Sequence, residues 1–130
     1  MSKYHIPVIV WMVFILILSL LSPGKLPHFS WSDVIAWDKV AHVGFYMVLA
    51  VLLLIAEVCK MHRDHSLLYY LCIGAVFGTM IECLQYLSHN GRHFELADIV
   101  ANILGMFLGV RFFYWSLKKF KICGAFLKKY

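Results

Sequence analysis

An all-α fold, a bundle of four transmembrane helices, is predicted by three features of this 130-residue chain. First, 62% of its residues are hydrophobic, against about 45–50% apolar in a soluble domain. Second, the excess is gathered into four blocks, at about 4–22, 36–58, 66–88 and 95–117. Each is close to the roughly 20 residues that cross a hydrocarbon core of about 30 Å. Third, the cations are unevenly shared between the two sides. With a cytoplasmic N-terminus, nine lie inside (Lys3, Lys60, Arg63, Arg111, Lys118, Lys119, Lys121, Lys128 and Lys129) and three outside (Lys25, Lys39 and Arg92). That bias follows the positive-inside rule and places both termini in the cytoplasm. The net charge of +5 then reports orientation, and no nucleic-acid partner is expected.

Residues 1–117 read as one transmembrane domain and 118–130 as a basic cytoplasmic tail. Span one has no acidic or basic residue beyond His5 at its start, which suits packing and anchoring. Ser19-Leu20-Leu21-Ser22-Pro23 is a poor match to a small-x-small cleavage site, so a retained helix is expected. Pro23-Gly24 stops it. The outer connection from Lys25 to Trp37 carries Phe29, Trp31 and Trp37, aromatics suited to the headgroup region. Ser30-x-x-Asp33 resembles a helix start, and a short interfacial helix is expected from about Trp31.

Span two begins near Asp38. The inner connection Cys59–His65 is short and polar. Its His62-x-x-His65 pair reads as loop residues, because a metal site needs more ligands in a fixed geometry. Glu57 is expected to pair with Lys60 at i+3, and Arg111 to snorkel to the headgroups. Span three contains Gly74-x-x-x-Gly78, with Glu82 continuing the row. Span four contains Gly105-x-x-x-Gly109, three residues after Asn102. Small residues four apart let helices approach closely in lipid. Spans three and four are therefore expected to pack tightly together, with homodimerisation through a glycine face as the alternative. The oligomeric state stays open. The tail either lies on the anionic leaflet or is a solvated stop-transfer segment. Cys59 and Cys123 face the reducing side, and Cys72 and Cys83 lie within span three. No disulfide, no cysteine-based metal site and no cofactor are expected.

Polar chemistry collects at the outer ends of the spans. Asp38-Lys39-x-x-His42, Glu82-x-x-Gln85, Arg92 with Glu95, and Asp98-x-x-x-Asn102 all fall there. Residues three, four and seven apart share a helix face, so each set points one way. Asn102 lies about 10 Å deeper than Glu95 at 1.5 Å per residue. A chamber opening at the outer interface is implied. Ionisable groups at such depth are costly and mark sites or pathways. Asp38, His42, Glu82, Arg92 and Asp98 are the functional candidates. Gln85 and Asn102 read as orienting amides, Lys39 as a snorkelling cation, and His89 and His93 as wet loop residues. Arg92 can fork onto a carboxylate. The near balance of charge fits a structural network and a preorganised binding site equally.

In this order, Asp38-Lys39-x-x-His42, Glu82-x-x-Gln85, Arg92 and Asp98-x-x-x-Asn102-x-x-Gly105 resemble the VanZ-like family of small membrane proteins. The resemblance covers nearly the whole chain. It implies a multi-pass protein of the bacterial cytoplasmic membrane. It also implies a link to teicoplanin resistance, which the founding members carry. Three function classes follow. The first is a binding module whose chamber holds an envelope lipid or a glycopeptide-related ligand. The second is an intramembrane enzyme acting on a lipid-linked substrate. There His42 would be a base oriented by Asp38, and Glu82 or Asp98 would carry a proton. A divalent ion on Asp38, His42, Glu82 and Asp98 is its variant. No serine, threonine or cysteine nucleophile stands in these motifs. The third is a small multidrug exporter. That class needs a membrane-embedded acid near the middle of the first span, and span one has none.

Overall fold

The computed structural model describes residues 3–20, 31–59, 66–88 and 95–120, with the side chains of 31–36, 59 and 120 excepted. Arg92, His89, His93, Lys60, His62, His65 and the tail beyond 120 lie outside the described residues. After a 3-10 turn at Lys3–His5 come four helices: α1 (Ile6–Leu20), α2 (Trp31–Cys59), α3 (Leu67–Leu87) and α4 (Leu96–Phe120). The described residues contain no strand. Four helical stretches are long and apolar enough to cross a membrane: Lys3–Leu20, which joins the 3-10 turn to α1, Trp37–Val58, Leu67–Leu87 and Leu96–Lys119.

Local chemistry explains the boundaries. Pro7 stands in the first turn of α1, where a missing N–H costs nothing. Ser66, in extended backbone, precedes α3, and its carbonyl accepts the Tyr69 N–H at 2.9 Å. At the far end of α3 the Ser88 hydroxyl donates to the Gln85 carbonyl at 2.7 Å. The helix that starts at Trp31 runs without a break to Cys59, so among the described residues the stretch from Trp31 is continuous with span two. Nothing between Trp31 and Asp38 is a glycine or proline, and the chain has no local reason to stop turning.

The bundle is organised around α4, which packs most extensively on α2 and next on α3, while α1 rests more lightly on α2 and α3. α4 thus packs on α3, but the two glycine rows meet different partners. Gly105 and Gly109 face the backbone of α2. A Cβ at Gly105 would strike the Val43 carbonyl oxygen, and one at Gly109 the Met47 carbonyl oxygen. Gly74 and Gly78 of α3 instead receive the side chains of Met106 and Asn102. The reason is angular. Asn102 and Met106 lie about 60° around α4 from Gly105 and Gly109, so one helix offers bulk to α3 and its bare backbone to α2. All four glycines are buried within the chain.

Tyr46, Leu49, Leu54, Ile81 and Met106 form the centre of the core, each at most 1% exposed. Outward-facing residues such as Val10, Val40, Leu68, Val76 and Phe112 are apolar and exposed, as a lipid-facing surface requires. Trp11 fastens α1. Its indole N–H donates to the Phe45 carbonyl at 2.9 Å, giving a polar atom in apolar surroundings the partner it needs.

The charge bias makes the orientation testable. Single cysteines placed at His28 and Gly91, with the four native cysteines replaced, are expected to react with an impermeant reagent from outside. One at His65 is expected to be protected. Labelling at His65 with protection at His28 reverses the topology.

Candidate functional site

The C-terminal ends of α1 and α3 and the N-terminal ends of α2 and α4 meet at one end of the bundle. There the polar residues converge. Lys39 of α2 reaches α4, with Nζ 2.9 Å from Glu95 Oε2 and 3.1 Å from Asp98 Oδ1. It is therefore a bridging cation between two helices rather than one that simply snorkels. The packing of α4 against α2 puts both carboxylates within its reach.

His42 is buried, and its Nδ1 lies 2.9 Å from Asn102 Oδ1. An amide oxygen accepts, so Nδ1 donates and Nε2 is left to face Asp38. Asp38 Oδ2 is 3.8 Å from Nε2, too far for a hydrogen bond. The expectation that Asp38 orients His42 is thus corrected: Asn102 does so. Asn102 is wholly buried, held over Gly78, where a side chain would collide with its amide.

Glu82 is only 1% exposed. Its Oε2 accepts the backbone N–H of Glu95 at 3.3 Å, which sets the carboxylate against the N-terminus of α4, where a negative charge is favoured. Its Oε1 is buried with no hydrogen-bond partner among the described residues, as is Asn102 Nδ2. Gln85 donates from Nε2 to the Ser19 carbonyl at 2.7 Å, tying α3 to the end of α1. So Asp38, Lys39, His42, Glu82, Gln85, Glu95, Asp98 and Asn102 are brought to one end of the bundle, and Arg92 lies outside the described residues.

Two participants are absent from the sequence reading. Ser19 contributes a carbonyl, which no side-chain pattern reveals. Tyr46 has a buried hydroxyl without a partner among the described residues. Its spacing of i+4 from His42 and i+8 from Asp38 was the available signal. A cleft of about 80 Å³ opens between α1 and α2, lined by Leu18, Ser19, Asp38, Ala41, His42 and Phe45. It is half polar and half apolar in character, and His42 and Asp38 form its polar wall. Among the described residues the site holds four carboxylates against one ammonium, so its field favours cations.

The family model for VanZ/LLP1 matches residues 4–118. The chain belongs to the VanZ/LLP1 family. No curated protein and no solved structure matches it. As a VanZ/LLP1 protein with four membrane-crossing helices, it is a multi-pass integral membrane protein in contact with lipid. The stretch matched to VanZ/LLP1 contains the entire polar set, from Asp38 to Asn102.

Proposed function

We propose that the polar end of this VanZ/LLP1 protein is a chamber for the polar head of an envelope lipid, in the outer leaflet of a bacterial cytoplasmic membrane. Its occupancy alters sensitivity to teicoplanin. The observation that carries this reading is the pair of buried atoms without a partner among the described residues, Glu82 Oε1 and Asn102 Nδ2, within a polar set embedded in an apolar bundle. Buried polar atoms are costly without partners, and a ligand group or water would supply them.

Size and charge narrow the ligand. The cleft of about 80 Å³ has room for two or three waters at roughly 30 Å³ each. It admits an ammonium or hydroxyl group of a headgroup, whereas a whole glycopeptide is far too large. Lys39 is already held by Glu95 and Asp98, so the described part of the site suits a cationic or hydroxylated group better than a phosphate. Leu18 and Phe45 beside Ser19, Asp38 and His42 give the opening the mixed lining that a lipid needs. An effect on teicoplanin then runs through the lipid and not through capture of the drug.

The test is made in cells. Glu82→Gln keeps shape and removes charge, and Arg92→Ala removes a cation from the segment between α3 and α4. Both are expected to abolish the change in teicoplanin sensitivity while membrane abundance and monodispersity stay near wild type. Loss of protein in place of loss of phenotype makes the network structural. Unchanged sensitivity in cells carrying ample wild-type protein, against an empty vector, removes the antibiotic role. Lipid mass spectrometry on the purified protein checks the chamber separately.

A second reading has its own observation. His42, clamped by Asn102 with Nε2 open toward Asp38 and the cleft, is placed as a general base for a water attacking a lipid-linked substrate. Turnover of a labelled lipid lost in His42→Gln would favour it. The exporter reading has no such support, since α1 carries no ionisable side chain.

A further inference from the structure

We infer that Asp38, His42 and Asp98 form a binding site for one divalent transition-metal ion. This goes beyond the lipid reading and does not depend on it. Each residue offers one ligand atom, and the three atoms lie within 4.8 Å of one another. Bonds of about 2.0–2.2 Å from nitrogen and carboxylate oxygen to a first-row ion place tetrahedral ligands about 3.3–3.6 Å apart. Small side-chain rotations close the set around an ion.

His42 supplies the independent sign. It is 6% exposed, and its Nδ1 is held by Asn102 Oδ1 at 2.9 Å, which leaves Nε2 turned toward Asp38. A ligating histidine almost always has its other ring nitrogen fixed in this way, which sets the tautomer and aims the lone pair. Here the lone pair faces Asp38 Oδ2 at 3.8 Å. An ion placed between the imidazole nitrogen and the carboxylate oxygen would be held by both.

The remaining surroundings fit. Lys39 lies 3.1 Å from Asp98 Oδ1 and orients that carboxylate from behind. The cleft lined by Asp38 and His42 leaves space for water or a ligand group to complete the coordination. One imidazole with two carboxylates suits zinc, manganese or iron. The imidazole disfavours magnesium and calcium, and the lack of a thiolate disfavours copper(I).

Cobalt(II) titration of the metal-stripped full chain in detergent micelles, followed by the visible absorption of the bound ion, tests this. Wild-type protein is expected to saturate at one equivalent. Asp38→Asn and His42→Gln are each expected to weaken binding at least tenfold, and Asn102→Ala about tenfold through loss of orientation. The double variant His62→Ala with His65→Ala is expected to bind as wild type. Size-exclusion profiles establish folding. If His42→Gln is not monodisperse, Asp38→Asn decides, since that side chain is 41% exposed and carries little of the packing. Absence of saturable binding by the wild type overturns the site. So does binding that survives Asp38→Asn but vanishes in the His62, His65 double variant.

Discussion

Gly105→Ala is expected to destroy the monodisperse bundle in mild detergent, while Gly44→Ala leaves it intact. The two substitutions add the same methyl group to transmembrane helices. They differ in what that methyl group meets. At Gly105 it collides with the Val43 carbonyl oxygen, and it lies 3.1 Å from the Val43 carbonyl carbon and 3.0 Å from Tyr46 Cβ. Backbone cannot rotate out of the way, so α2 and α4 must separate. Overpacking costs about 1–3 kcal/mol in ordinary cores. The consequence is larger here, because close packing is a main force joining helices in lipid, and this is the most extensive interface in the bundle. The His42–Asn102 contact lies beside Gly105 on the same interface and would be lost with it. At Gly44 there is no atom within 4 Å, and the change should stay within about 1 kcal/mol, the difference in helix propensity. Thermal midpoints by size-exclusion measurement after heating compare the two. Equal midpoints would remove the close approach of α2 and α4 from the account.

Which parts of this arrangement could be read from residues alone follows from their range of action. Span number and helix type are legible because apolar length and the absence of internal breakers act locally. The polar faces are legible for the same reason: Asp38 with His42, and Asp98 with Asn102, are spaced by one turn. Partner choice between helices was not legible. Gly74-x-x-x-Gly78 and Gly105-x-x-x-Gly109 look alike in sequence, yet one row receives side chains and the other receives backbone. That difference depends on how Asn102 and Met106 are turned relative to Gly105, and on which neighbour α4 meets on each side. The role of Lys39 was hidden likewise. A lysine near a helix end can snorkel or bridge, and only the position of Glu95 and Asp98 decides. Ser19 acts through its carbonyl, so its side-chain type held no signal. The site's residue types were therefore readable while its wiring was not.

That wiring leads to the second large effect. Lys39→Met is expected to destabilise the bundle by about 2 kcal/mol, while Lys39→Met combined with Asp98→Asn is expected to be closer to wild type than Lys39→Met alone. Asp98 has an 8% exposed side chain and Lys39 a 33% exposed one. Removing one partner of a buried pair costs about 3–5 kcal/mol, because the other is left as an unpaired buried charge. The partial exposure of Lys39 and its second partner, Glu95, lower that figure. Neutralising Asp98 at the same time removes the stranded charge and keeps a polar side chain of the same shape. Glu95→Gln is the contrast, since its side chain is 47% exposed and exposed pairs contribute roughly 0–1 kcal/mol. Denaturation of wild type, Lys39→Met, Asp98→Asn and the double variant in mixed micelles gives the coupling energy between Lys39 and Asp98 directly. Additive losses in the double variant would show that the two side chains do not act as a pair, and that Lys39 does no more than reach for the headgroups.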